Sequence, residues 1–290
     1  MNKLFMLVGL PASGKTTCGK RLAEVEDALI VSSDEIRKEL LGDQNDQTKN
    51  EEIFKEVESR IINGLKEKNV IYDATNINYK RRMAFLQKIK DVEKIALLIA
   101  TPYDECIERN NKRERKVPED VIKRMYYNFY IPQYYEGFDE IGIYFNTDRI
   151  YWTYDLLKKL DKVSQDNPHH TLTIGKHCRK TAILLNDDMS IVGLLHDIGK
   201  AETKTFMNTK GIKTEIAHYY HHENVSAYMS LFYTDRRNEE KQLEIANLIQ
   251  WHMLLHKELS EKTIEKYKKL LGEKTWLKLK LLYNADILAK

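Results

Sequence analysis

The chain has 290 residues, enough for two domains of ordinary size, each with its own core. Charged residues make up 31% and apolar residues 42%, the balance of a soluble globular protein. The net charge of +3 excludes a global field that would draw the chain onto nucleic acid, so any such contact must come from local patches.

Leu4–Val8 is short, continuous and apolar, the pattern of a buried β-strand. The same run faintly resembles a secretory signal, but cleavage after it would destroy the loop that follows, so the strand reading is preferred. Residues 9–16 read Gly-Leu-Pro-Ala-Ser-Gly-Lys-Thr, a full G-x-x-x-x-G-K-[ST] phosphate loop between a strand and a helix that runs from Lys15 through Leu22. Gly9, Ala12, Ser13, Gly14, Lys15, Thr16 and Thr17 are therefore the expected nucleotide-binding residues. Backbone N–H groups would cradle phosphates at the positive helix end. Lys15 would reach the β- and γ-phosphates of ATP or another nucleoside triphosphate, and Thr16 would help hold Mg²⁺.

Leu29–Ser32 reads as a second strand and Asn50–Lys68 as a helix, with Ile53, Val57, Ile61 and Leu65 at helical spacing. Val70–Tyr72, ending at Asp73, Ile95–Ala100 and Glu140–Phe145 read as further strands. Strands alternating with helices predict an α/β domain with a doubly wound parallel sheet, which binds ligands at the carboxyl ends of its strands. Gly9, Asp34, Asp73 and Thr101 fall just after such ends.

Asp34 and Arg37 are three apart at a helix start, so they share a face. There Asp34 can take a proton from an attacking hydroxyl and Arg37 can grip an acceptor phosphate; equally, the pair can be an N-cap aspartate with an i,i+3 ion pair. The basic run from Arg109 through Arg113, Arg115 and Lys116 follows the fourth strand, where phosphoryl-transfer enzymes carry an arginine lid. On one helix, Arg109 and Arg113 could both reach the transferring phosphoryl group.

After Asn146 the strand signals fade. Helices are expected over Trp152–Lys162, Thr173–Leu185, Ile191–Leu195, Asn224–Phe232, Gln242–Met253 and Thr275–Leu288. The second half is thus expected to be all-α, with domains at 1–150 and 151–290. All nine histidines lie in it. His196-Asp197 closes an apolar helix, and His177, His222, His252 and Asp286 fall on or beside other helices, so several helices could converge these groups on metal. A lone histidine on a helix is usually a core or surface residue; the whole set is what points to metal. Imidazole with carboxylate suits one or two divalent transition metals among Mn, Fe, Co, Ni and Zn. His169 and His170 compete with His177 as first ligand. His177 is preferred because it precedes the pair by 19 residues, room for a helix and its antiparallel return.

Three cysteines without C-x-x-C spacing fit a reducing, cytoplasmic location. No apolar run approaches the ~18 residues of a membrane span.

The loop at 9–16, Asp34-Glu-Ile-Arg37, Asp73-Ala-Thr-Asn-Ile-Asn78 with Arg81-Arg82, and Arg109-Asn-Asn-Lys-Arg113 occur in an order that resembles the kinase domain of bacteriophage polynucleotide 5′-hydroxyl kinase, over residues 3 to 146. The resemblance implies Asp34 as general base on a 5′-hydroxyl, Arg37 on the acceptor's phosphate, Arg109 and Arg113 on the donor, and Asp73 as a supporting carboxylate near the acceptor. Related small-molecule kinases share the loop and the lid.

From Asn167-Pro-His-His170 and His177 through Leu194-Leu-His-Asp-Ile-Gly-Lys200, His222-Glu223, Trp251-His252-Met253 and Ala285-Asp286, the second half resembles the HD phosphohydrolase superfamily. The likeness is to the HD domain of bacterial tRNA nucleotidyltransferases. That resemblance implies one metal on His177, His196, Asp197 and Asp286. Asp197 can bridge to a second metal on His222 and His252. Lys200, with His218 as a further candidate, would steady the phosphate. Water activated between the metals would attack phosphorus.

Proteins that fuse such domains form an end-healing class, usually with the HD domain first; the order here is reversed. The expected function is therefore bifunctional healing of RNA or DNA ends: phosphorylation of 5′-OH and removal of 2′,3′-cyclic or 3′ phosphate, with a separate ligase implied. An oligomer is possible, and no membrane partner is expected. One rival is a small-molecule or nucleoside kinase fused to an HD nucleotide hydrolase. The other is a nucleotide-sensing module.

Overall fold

A computed structural model describes residues 1–168 and 170–290; His169, weighed above as a ligand, lies outside the described residues. The chain divides into two units, residues 1–125 with 132–148 and residues 126–131 with 149–290. Tyr126–Ile131, inside the first half by sequence, belongs with the second unit.

The first unit begins with β1 (Lys3–Val8), α1 (Lys15–Glu26), β2 (Leu29–Ser32), α2 (Ser33–Leu41), α3 (Asn50–Gly64), β3 (Val70–Asp73) and α4 (Tyr79–Leu86). It continues with β4 (Glu93–Ala100), α5 (Tyr103–Asn111), α6 (Glu119–Tyr127), whose last two residues pass into the second unit, and β5 (Glu140–Phe145). The five strands pair in parallel in the order β2-β3-β1-β4-β5. Parallel strands covered on both faces must be apolar throughout, and β1 and β3 are buried almost end to end. Phe5, Leu7, Ile71 and Ile95 form one core cluster, packed with Leu22 and Ala23 of α1. Ser32 pairs with Asp73, so β2 and β3 finish level, and Val8 pairs with Leu98, two residues before the end of β4. Parallel pairing brings the loops after these strands to one edge of the sheet.

Two helices of this unit start at a side-chain cap. Ser32 accepts from the Glu35 N–H at α2, and Asn78 accepts from the Arg81 N–H at α4.

The second unit carries α7 (Thr153–Leu160), α8 (Ile174–Ile183), α9 (Asp187–Leu195), α10 (Lys200–Thr203), β6 (Lys204–Met207), β7 (Lys213–Tyr219) and α11 (His222–Tyr233). After these come α12 (Glu239–Trp251), a 3-10 turn over His252–His256, α13 (Glu261–Leu271) and α14 (Glu273–Leu288). The second half is helical as expected, with one addition: β6 and β7 form an antiparallel hairpin. Its turn is built by Asn208, whose Oδ1 accepts from the N–H groups of Lys210 and Ile212, and by Gly211 at φ +75°. An Asn/Gly turn between short alternating runs is a hairpin signal that helical periodicity obscured.

Two glycines set how closely the helices meet. A Cβ on Gly193 of α9 would lie 2.8 Å from the Ala182 backbone of α8. A Cβ on Gly199 would lie 2.6 Å from the His222 carbonyl oxygen. Among the described residues, no helix is long and apolar enough to cross a membrane.

Candidate functional site

In the first unit the phosphate loop bridges β1 and α1. Ala12 at φ 63° and Gly14 at φ 97° give the left-handed turns that wrap the loop. A Cβ on Gly14 would meet Asn146 Nδ2 at 2.4 Å, which only glycine avoids. Asn146 Nδ2 and Thr101 Oγ1 both donate to the Ser13 carbonyl, at 2.7 and 2.9 Å, so the ends of β4 and β5 brace the loop. Ser13 Oγ is buried with no hydrogen-bond partner among the described residues. Such an orphaned polar atom in a nest of backbone amides fits a phosphate oxygen.

Lys15 Nζ donates to the Leu10 carbonyl at 2.7 Å, folded back on its own loop. Burial pushes its pKa down, partly offset by the Asp73 carboxylate. Thr16 Oγ1 donates to Asp73 Oδ2 at 2.9 Å. Thr16 and Thr17 are exposed at the start of α1. Asp73, expected near the acceptor, accepts from the loop threonine because β3 lies beside β1, and it lines the same cleft as Asp34. Burial raises its pKa.

Asp34 is the second residue of α2, not its N-cap, and its side chain is 48% exposed into the cleft. Arg37 Nη1 donates to Asp34 Oδ1 at 3.1 Å and Nη2 to Asn50 Oδ1 at 3.1 Å. Arg37 is buried, and its Nε has no partner among the described residues. The ion pair allowed as the plain alternative is thus present, with a free donor left over.

The shared-face reading of Arg109 and Arg113 is corrected. Helix α5 ends at Asn111, so Arg113 lies in the loop beyond it. Arg109 Nη2 is tied to Glu105 Oε2 and the Asn146 carbonyl, at 2.9 and 2.8 Å. Arg113 lines the cleft and is close enough for its charge to lower Lys15. Arg115, which sequence reasoning left without a role, donates from Nη1 to Asp34 Oδ2 at 2.8 Å and to Gln44 Oε1 at 2.7 Å. The cleft lined by Asp34, Arg37, Asp73, Arg113 and Arg115 has a volume of about 2330 Å³.

In the second unit four helices and a turn deliver one cluster. Thr173 caps α8 by accepting from the Lys176 N–H, and the helix carries His177 inward. His196 and Asp197 follow α9. His221, at φ 64°, turns the chain into α11 so that His222 opens the helix; a non-glycine residue held left-handed is strain at a site. His252 follows α12, and Asp286 lies near the end of α14.

All six side chains are buried. His177 Nε2 lies 3.2 Å from His196 Nε2, 3.3 Å from Asp197 Oδ2 and 3.0 Å from Asp286 Oδ1. On the other side, Asp197 Oδ1 lies 3.2 Å from His222 Nε2 and 3.6 Å from His252 Nε2, which are 3.3 Å apart. Two groups result, His177–His196–Asp197–Asp286 and Asp197–His222–His252, each with donor atoms within 4.8 Å of one another. Asp197 is common to both.

The donor set fits metal on grounds of tautomer. Nδ1 of His196, His222 and His252 meets the carbonyls of Gly193, Tyr219 and Ile249 at 2.8, 2.7 and 2.6 Å, and Nδ1 of His177 meets that of Ala289 at 3.4 Å. A carbonyl can only accept, so Nδ1 carries the proton and Nε2 presents a lone pair. Paired lone pairs a little over 3 Å apart repel unless a cation lies between them. Burial disfavours a charged imidazole, yet Asp197 and Asp286 outweigh it and push His196 up to about 10. Burial would raise Asp197, but Lys200 and His196 hold it well below the usual carboxylate range. The site's field therefore favours positive charge, the condition for a divalent cation.

Lys200 Nζ binds Asp197 Oδ2 at 2.6 Å and Gln165 Oε1 at 3.0 Å, and His170 Nε2 lies 3.4 Å from it. His170, the rival first ligand, is outside both groups. His218 stacks on Tyr220 in β7. His256, unnamed in the sequence reading, pairs with Asp286 Oδ2 at 2.8 Å. Its spacing of four from His252 was the available signal.

Comparison with known proteins separates the same halves. Residues 4–132 match the family model described as an AAA domain, and residues 169–290 match the HD domain. An L-seryl-tRNA(Sec) kinase from Methanococcus maripaludis is 30% identical over 167 residues, 54% of this chain and 61% of that protein. The chain thus spans less than two thirds of that relative's length. Among solved structures, the Pnkp1/Rnl/Hen1 RNA repair complex aligns at 27% identity over 43% of this chain and 42% of the other, with a TM-score of 0.40. A gluconokinase from Sinorhizobium meliloti 1021 aligns at 14% identity over 51% and 84%, with a TM-score of 0.38. The chain joins an AAA-type phosphate-loop domain to a C-terminal HD domain.

Proposed function

We propose that the chain heals nucleic-acid ends, acting on RNA. The first unit transfers a phosphoryl group from ATP to a 5′-OH, and the second removes a 2′,3′-cyclic or 3′ phosphate. The observation that carries this reading is the pairing of opposite phosphate chemistries in one chain, a phosphate loop facing Asp34 and a buried histidine–aspartate cluster. One cleft is lined by both the phosphate loop and the Asp34–Arg37 pair, so a donor and an acceptor can meet in it.

In the first unit Gly9, Ala12, Ser13, Gly14 and Thr17 hold the triphosphate through the loop, with Lys15 on its outer phosphates. Asp73 and Thr16 together hold Mg²⁺. Asp34 accepts the proton of the attacking hydroxyl, which requires Arg115 to leave its Oδ2. Arg37 offers its unpartnered Nε to the acceptor's phosphate. Arg113, and Arg109 once released from Glu105, face the donor phosphates.

In the second unit His177, His196, Asp197 and Asp286 would hold one divalent transition metal, and Asp197, His222 and His252 a second. Metal bound there supplies Lewis acidity toward a phosphoester. The chain's own contribution is to fix the imidazole tautomers through backbone carbonyls and to hold Asp197 ionised through Lys200. Healed ends would pass to a separate ligase.

The test uses a short RNA with a 5′-OH and a 2′,3′-cyclic phosphate, incubated with ATP, Mg²⁺ and Mn²⁺, and reads the mass at both ends. A gained 5′ phosphate and a lost 3′ phosphate are expected. No change at either end, with ATP consumed, would overturn the reading.

The 30% identity to a seryl-tRNA kinase favours a second reading, in which the acceptor hydroxyl is carried on an aminoacylated RNA. Phosphorylation of seryl-tRNA without phosphorylation of the 5′-OH oligonucleotide would select it.

A further inference from the structure

Lys200 is the residue that sequence resemblance assigns to the substrate phosphate, but its ammonium group has no donor left to give. It carries three N–H bonds and no acceptor. The three partners within reach are Asp197 Oδ2 at 2.6 Å, Gln165 Oε1 at 3.0 Å and His170 Nε2 at 3.4 Å. Lys200 and Gln165 are both buried, and Gln165 is itself fixed, its Nε2 donating to the Leu172 carbonyl at 3.1 Å. The ammonium is therefore a strut between the shared metal ligand and the 165–172 segment.

The third partner has a consequence for tautomer. An ammonium only donates, so His170 Nε2 must accept, and the ring proton must sit on Nδ1. That Nδ1 is buried and has no hydrogen-bond partner among the described residues. A buried N–H without a partner is costly and calls for an explanation. The ring stands edge-to-face on His177, with centroids 5.2 Å apart, so the donor belongs to the wall of the metal cluster. It cannot be a metal ligand through Nε2, which is taken. What it lacks is an anionic oxygen.

We propose that His170, through Nδ1–H, is a substrate-binding residue of the phosphohydrolase centre, donating to a non-bridging oxygen of the phosphoester, and that Lys200 acts indirectly by fixing its tautomer. This rests on the phosphohydrolase reading of the second unit.

The test uses the full chain loaded with Mn²⁺ and inorganic phosphate as the probe. Phosphate affinity is measured by calorimetry, and metal content by elemental analysis. Asparagine places its amide N–H near the position of Nδ1, whereas glutamine reaches only the position of Nε2. His170→Ala and His170→Gln should therefore weaken phosphate about tenfold, the loss of one hydrogen bond to an anion. His170→Asn should stay within about threefold of the parent, and all three should keep their metal.

Equal phosphate affinity in all four proteins would overturn the assignment, as would loss of metal on His170→Ala. Weakening by His170→Asn as large as that by His170→Ala would also overturn it. Failure of the hydrolase reading looks different: phosphate binding would follow this pattern while the parent, with any of the candidate metals, cleaved no phosphoester.

Discussion

At the scale of single residues, the groups that do chemistry are set by what occupies their hydrogen bonds. Asp34 has both oxygens engaged, Oδ1 by Arg37 and Oδ2 by Arg115. Replacing it with asparagine keeps the shape and removes the proposed proton acceptor. Asp34→Asn should lower kcat for 5′ phosphorylation by roughly 10²–10⁴-fold, with ATP affinity unchanged, as read by steady-state kinetics and nucleotide titration. A comparable fall in ATP affinity would place Asp34 on the donor side instead. His256 pairs with Asp286 Oδ2, one step back from the proposed metal site. Residues that orient ligands typically contribute about 10–100-fold in metal affinity, so His256→Ala should weaken Mn²⁺ binding by that order in a chelator competition. The motif residues were legible because phosphate loops and HD pairs are contiguous in sequence. Arg115 and His256 were not, because their partners Asp34 and Asp286 lie 81 and 30 residues away by number and meet them only in the fold.

At the scale of elements, strands were the easier reading. The continuous apolar runs of β1, β3 and β4 follow from burial on both faces of a parallel sheet. The hairpin β6–β7 escaped because its strands are half exposed and lack such a run. Likewise α9 starts at Asp187, a turn before its apolar stretch, since its first turn carries Asp187 and Asp188, which read as loop although negative charge there complements the helix dipole. The approach of α8 and α9 depends on Gly193, which leaves no room for a methyl group and whose carbonyl orients His196. Gly193→Ala should cost about 1–3 kcal/mol by overpacking and also release metal, because His177 and His196 ride on those two helices. Gly211→Ala, in the hairpin turn with open space around it, meets only backbone strain. It should lower the melting temperature slightly and keep its metal. Thermal melts with metal analysis compare the two, and metal retention by Gly193→Ala would show that helix spacing does not govern the site.

At the scale of the whole molecule, each unit has its own core and its own ligands, so each should respond to its own linkage. A ligand that binds only the native form stabilises by RT ln(1 + [L]/Kd), about 2.7 kcal/mol at a hundredfold excess over Kd. Mn²⁺ should then raise one calorimetric transition and chelator should lower it, while ATP with Mg²⁺ should raise the other. Substitution makes the same division: Asp34→Ala should abolish 5′ phosphorylation and leave phosphohydrolysis intact, and Asp197→Ala should do the reverse and lose the metal response. Asp197 gives the sharper test, because it is the one carboxylate common to both candidate ligand groups. Its removal should therefore empty the whole cluster and not half of it. A folded Asp197→Ala protein that still bound metal would show that this carboxylate does not hold the cluster together, and either variant that lost both activities would mean that the two units do not work as independent sites.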